Sequence, residues 1–280
     1  MDIGKLIAFM ACQLRPVWDF EDVDDWWMRA NSKNIPPIVA IPTTAGTGSE
    51  VGRASVLTNS LSKEKKIIFH PKMLPSSVIC DPVLTISLPK KITAGTGLDA
   101  LAHCVEAYCS PSFHPMCQGI ALEGIKLVKD SLLMAYKNGS NLSARSNMMS
   151  AALMGAVAFQ KGLGAVHAIS HPIGAIYNTH HGLTNAILLP HILEFNRNKI
   201  KHKINNLSAY LDINQGFDGF LFFVKSLNLA LDIPRGLSDL GVLETDIKKI
   251  VNGALQDPSK DGNPVKLNST NLEALILKAM

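Results

Sequence analysis

The rhythm of hydrophobic and polar positions changes near residue 90. Before it, short apolar runs alternate with turn residues. Residues 36–43, PPIVAIPT, are a β-branched run bounded by prolines, which predicts a buried strand. RASVLTN at 53–59, KIIFH at 66–70 and SVICD at 77–81 predict three more short strands, the last ending at an Asp-Pro break. Residues 2–12 predict a helix, and Trp18, Trp26 and Trp27 fall in a loop-rich stretch. From residue 89 the period becomes helical. Pro89 suits a first helical turn, and GLDALAHCVEAYCS carries apolar residues at helical spacing. Further helices are expected at 115–136, 144–160, 163–176, 187–195, 216–230, 244–254 and 270–279. The expected organisation is an α/β part over 1–89 and an all-helical part over 90–280.

Composition narrows the class. The chain has 280 residues, 47% hydrophobic and 18% charged, as in a well-packed globular protein. The net charge of +4 is mild and its Lys and Arg form no long block, so no nucleic-acid partner is expected. No apolar stretch reaches the ~18 residues of a membrane span, and the N-terminus lacks a signal-peptide pattern. Five cysteines, an odd number without a CxxC pair, point to reduced thiols and a cytoplasmic setting.

Two constellations carry chemistry. Asp99 and His103 lie four apart on a helical segment and so share a face, where carboxylate and imidazole can bind one ion. Alone, the pair reads more simply as an ion pair or a buried hydrogen bond. His167 and His171 repeat the spacing in GLGAVHAISHPIGA, where Pro172 is expected to bend or end the helix. His180 and His181 follow in YNTHHGLTNA. Imidazoles among Gly, Ala and Ile need polar partners, and together the set favours a metal site for Zn(II) or Fe(II). Spacing leaves open which histidine of each close pair would ligate. The second constellation is PTTAGTGSE at 42–50, where backbone N–H groups and hydroxyls can approach an anion closely. It is neither a Walker loop nor GxGxxG, and an ordinary turn is an equal reading.

PTTAGTGSEV, DPVLTISLP, GLDALAHCVEAY, HAISHPIGA and HHGLTNAILLPHILEFN, in this order and spacing, resemble the iron-containing (group III) alcohol dehydrogenases. The resemblance runs from residue 2 to the C-terminus and is looser over the last hundred residues. It implies a dehydroquinate-synthase-like fold: an α/β nucleotide-binding domain, here incomplete, followed by an all-α domain, with the metal between them. It implies metal ligands Asp99, His103, His167 and His181, and places His171 near nicotinamide and substrate as the candidate catalytic group. Thr43, Thr44, Thr47 and Lys65 match positions that contact the dinucleotide. Gly52 stands where many members carry Thr, and His180 where many carry Pro.

Asp2 and Lys5 match the tail of a family phosphate-binding turn, Gly-Gly-Gly-Ser, which would lie before Met1. About ninety residues of α/β structure precede that turn by family expectation. The expectation is a chain that begins inside its nucleotide domain, binds NAD(H) weakly, and exposes a sheet edge that favours association or poor solubility. The implied activity is interconversion of a small alcohol with an aldehyde or ketone, using Fe(2+), with Zn(2+) as alternative, and NAD or NADP. A homodimer is the assembly the resemblance suggests. The alternatives are a catalytically impaired metal-binding member, a hydroxyacid–oxoacid transhydrogenase or a semialdehyde reductase.

Overall fold

The computed structural model describes residues 1–62 and 64–280. It opens with helix α1 (Asp2–Met10) and two short 3-10 turns that carry the tryptophans. Strand β1 (Val39–Ala40) pairs in parallel with β4 (Ser77–Val78), and β2 (Ala54–Asn59) pairs antiparallel with β3 (Glu64–Phe69). No strand follows β4 among the described residues. β1 is far shorter than the expected run over 36–43. Pro36, Pro37 and Pro42 have no N–H to give a ladder, so pairing is confined to Val39 and Ala40 of the four residues between them. A small core of Phe9, Phe20, Ile35, Ile68 and Met73 lies under these elements.

The remainder is helical: α2 (Lys90–Cys109), α3 (Pro115–Lys137), α4 (Leu142–Ala158), α5 (Ala165–Tyr177), α6 (His181–Tyr210), α7 (Gly216–Ala230), α8 (Ile247–Gln256) and α9 (Ser269–Ala279). Helix α2 is buried on all sides from Gly97 to Cys109, as a Gly- and Ala-rich helix at the centre of a bundle must be. It packs against α3, α4 and α6.

One helix departs from expectation, and a second, the expected 163–176, is observed with its proline inside it. α5 does not end at Pro172 but continues to Tyr177. Pro172 sits where the ring packs against α8, 2.7 Å from where a Cβ would lie on Gly253. The helix predicted over 187–195 lies within the first half of the 30-residue α6, which passes through Pro190. Its second half is polar, but Asn196, Ile200, Ile204 and Leu207 are buried and hold it to the bundle. Among the described residues no single helix is long and apolar enough to cross a membrane.

The α5–α6 connection positions the site. Asn178 adopts a left-handed conformation (φ 53°) and reverses the chain after α5. α6 then starts against α2 at Gly182, where an added Cβ would stand 1.9 Å from the Gly95 carbonyl oxygen. Only glycine permits that approach, and it brings His181 beside Asp99.

Candidate metal centre

Asp99 and His103 project from one face of α2, His167 from the first turn of α5, and His181 from the first residue of α6. The Nε2 atoms of His103, His167 and His181 lie 3.8, 3.9 and 3.5 Å from Asp99 Oδ1. Ligand atoms held about 2.1 Å from one tetrahedral ion stand about 3.4 Å apart, so these separations are close to those of a single coordination shell. Asp99, His103 and His167, all buried, have ligand atoms within 4.8 Å of one another; His181 approaches Asp99 but stands outside that mutual spacing. His181 is more open, with 28% of its side chain exposed.

The electrostatics fit a cation. Burial alone would raise the Asp99 pKa, but the surrounding imidazoles of His103, His181 and His167 outweigh it and hold the carboxyl well below its usual range. Burial pushes His103 down to about 4 and His181 well below the ordinary histidine value. Burial also opposes charge on His167, yet Glu106 and Asp99 prevail and raise it to about 9. Carboxylate oxygen and imidazole nitrogen therefore converge in a largely buried space with one amide between them. Asn185 Nδ2 donates to Asp99 Oδ1 at 2.8 Å and lies 3.2 Å from His167 Nε2 and 3.1 Å from His181 Nε2. Asn185 Oδ1 and His103 Nδ1 are buried without partners among the described residues. A set of one carboxylate oxygen and three imidazole nitrogens is suited to a divalent ion of intermediate hardness.

Three groups near the centre had escaped the sequence reading. Glu106 receives the Val166 N–H on Oε1 (2.7 Å) and meets His167 Nδ1 with Oε2 (2.6 Å). It lies three residues beyond His103 on α2, and that spacing was the available signal. Asn185 lies four beyond His181 on α6, with the same signal. Asp257 Oδ2 meets His171 Nδ1 at 2.7 Å, and nothing local joins two residues 86 apart.

His171 does not join the four-residue set. Its ring stacks on His181 (5.4 Å between centroids, 16° between planes) and lines a cavity of about 480 Å³ with Lys65, Pro172, Asn252 and Asp257. Lys65 reaches this space from β3, its Nζ 3.4 Å from the position of a Cβ on Gly174. Burial lowers its pKa, although Asp99 and Asp257 attract the charge.

Thr43, Thr44 and Thr47 are exposed, whereas Ala45, Gly46 and Gly48 of the same loop are buried. Gly48 has φ 63° and abuts α4, where a Cβ would meet Ala156 and the Ala152 carbonyl. The loop thus docks through backbone and presents hydroxyls outward. Asp2 and Lys5 fasten its far end. Lys5 Nζ, fully buried, donates to the carbonyls of Ser49, Gly52 and Ala54 at 2.8, 3.0 and 2.6 Å. The Asp2 carboxylate accepts from Ser49 Oγ and from the Val56 N–H.

Residues 93–280 match the Fe-containing alcohol dehydrogenase family, C-terminal, and residues 1–82 match the iron-containing alcohol dehydrogenase family. The chain is 36% identical to 4-hydroxybutyrate dehydrogenase of Cupriavidus necator over 290 residues, covering 100% of this chain and 75% of that protein. The crystal structure of a 1,3-propanediol oxidoreductase superposes with a TM-score of 0.93 at 36% identity, over 100% of this chain and 74% of the other. A sulfoacetaldehyde reductase of Bifidobacterium kashiwanohense, solved in complex with NAD+, superposes with a TM-score of 0.87 at 29% identity, over 99% and 73%. With both parts matched in order and the donor set assembled, the chain belongs to the iron-containing alcohol dehydrogenase family.

Proposed function

We propose that Asp99, His103, His167 and His181 hold one divalent ion, Fe(II) or alternatively Zn(II), and that the adjoining cavity receives a small alcohol or aldehyde beside a nicotinamide cofactor. As a family member the protein is a metal-dependent alcohol dehydrogenase that interconverts an alcohol with an aldehyde or ketone. When bound, the ion supplies Lewis acidity toward the alcohol oxygen, and the nicotinamide accepts hydride. The chain's own residues do the rest. Asp99 supplies the one anionic donor. Glu106 holds His167 with Nδ1 turned away from the centre. His171, at the cavity wall, takes the proton released by the alcohol. Lys65 and the hydroxyls of Thr43, Thr44 and Thr47 bind the dinucleotide, NAD or NADP.

The observation that carries this reading is three imidazole Nε2 atoms within 3.9 Å of a single buried carboxylate oxygen. Metal-free protein should take up one equivalent of Fe(II) or Zn(II), measured by elemental analysis after desalting. Alcohol-dependent reduction of NAD+ or NADP+ should appear with that metal. Failure to retain any divalent ion would overturn the assignment of the centre.

A further inference from the structure

Asp257 makes two bonds that together dictate which nitrogen of His171 carries the proton. Its Oδ1 accepts the Ser259 N–H at 2.9 Å, capping the 3-10 turn Pro258–Gly262. Its Oδ2 meets His171 Nδ1 at 2.7 Å. A carboxylate only accepts, so His171 must donate from Nδ1. In the neutral ring the other nitrogen, Nε2, then bears a lone pair. No described group hydrogen-bonds it, and the ring lines the cavity.

We propose that Asp257 is a positioning residue that fixes the Nδ1–H tautomer of His171, keeping Nε2 as a proton acceptor on a ring that lines the cavity assigned to the substrate under the proposed function. The kinetic part rests on the dehydrogenase reading above; the tautomer part does not. In alcohol oxidation the O–H bond breaks with its electron pair left on oxygen, and an N–H bond forms at His171 Nε2. The carbonyl forms as hydride leaves carbon for the oxidised nicotinamide. A ring already protonated at Nε2 has no site for that proton.

The same two bonds make Asp257→Asn a discriminating change. Asparagine has one acceptor and one donor group where aspartate has two acceptors. The backbone N–H of Ser259 can only donate, so the amide oxygen must face it. The amide NH₂ then faces His171 Nδ1, which must become an acceptor, and the ring proton moves to Nε2. Asparagine is as good a cap as aspartate, so the fold should hold.

The test is ¹⁵N-histidine NMR of the metal-free protein, with His171 assigned by its absence in His171→Gln. The parent should show the Nδ1–H tautomer at His171 and Asp257→Asn the Nε2–H tautomer, with unfolding midpoints alike. With metal and cofactor present, Asp257→Asn should lose kcat on the order of a hundredfold, with metal content and the KM for alcohol little changed. A parent already protonated at Nε2, or a tautomer indifferent to Asp257→Asn, would overturn the proposal whatever the activity. A tautomer switch with unchanged kcat would overturn the acceptor role. If Asp257→Asn does not fold, the parent spectrum decides alone. Absence of activity in the parent would count against the dehydrogenase reading and leave the tautomer result standing.

Discussion

The helical part and the α/β part of this chain hold the groups proposed to bind ligands in opposite ways. In α2 and α5 the donors Asp99, His103 and His167 are buried, a carboxylate fixes the ring of His167, and only His181 of α6 is partly open. In the α/β part the threonines of the 42–50 loop are exposed, and the loop is held by its glycines, by Lys5 and by Asp2. An ion with a fixed coordination shell needs donors placed within tenths of an ångström, which burial provides. A dinucleotide that enters and leaves at each turnover needs an open face on a steady backbone. The division therefore predicts that substitutions in one part spare the function of the other.

The largest expected effect lies in the helical part. His167→Ala should abolish bound metal, measured by elemental analysis, without changing the exposed loop. Glu106→Gln is subtler and should be nearly as damaging. The glutamine oxygen must take the Val166 N–H, which turns its NH₂ toward His167 Nδ1 and forces the ring proton onto Nε2, the metal-facing atom. Metal affinity should fall about 10- to 100-fold, read by competition with a chelating dye. Undiminished affinity would show that the Glu106–His167 pair does not prepare the ligand.

How much of this was legible beforehand depends on the kind of signal. Asp99 with His103 showed as an i,i+4 pair, and the change of period near residue 90 located the helical part. Strand β1 came out short because proline competes with the β-branched pattern, and the extent of α6 was hidden because its second half is polar outside and buried only at wide intervals. Glu106 carries helical spacing from His103, but glutamate on a helix is commonly solvated, so spacing alone does not single it out. Asp257 carried none. It sits in an Asp-Pro turn and reaches His171 only because α8 packs against α5 through Pro172 and Gly253. Contacts made by tertiary packing between distant segments leave no local pattern.

A second test breaks the comparison from the other side. Lys5 is a buried cation whose ammonium serves three carbonyls. Lys5→Met leaves those carbonyls unpaired and unlatches α1 from the end of the loop. A loss of about 3 kcal/mol is expected, measured by denaturant unfolding. Metal binding in the surviving helical part should persist, and simultaneous loss of metal would mean that the two parts do not act separately. Thr47→Val is gentler. It removes one exposed hydroxyl and should weaken nicotinamide-dinucleotide binding by roughly 1 kcal/mol, seen by calorimetry, with metal content unchanged.

The smallest effect is expected far from both sites, on the outer face of the helical part. Glu194 of α6 accepts from Lys278 of α9 at 2.6 Å and Lys225 of α7 at 2.9 Å. These hydrogen bonds, Lys278 foremost, lower its pKa from 4.5 to about 2. A carboxylate whose folded pKa is depressed stabilises the fold above its unfolded value and loses that contribution as pH falls through the folded one. Both lysines are half exposed, so water and salt screen the pair, and Lys278→Met should cost no more than about 1 kcal/mol at neutral pH. The gap between parent and variant should narrow as pH drops from 4.5 toward 2, measured by urea unfolding across that window. A gap that stays constant with pH would assign the loss to packing of the lysine stem against α6 instead of to its charge. Either way the ion proposed at Asp99, His103, His167 and His181 should be retained.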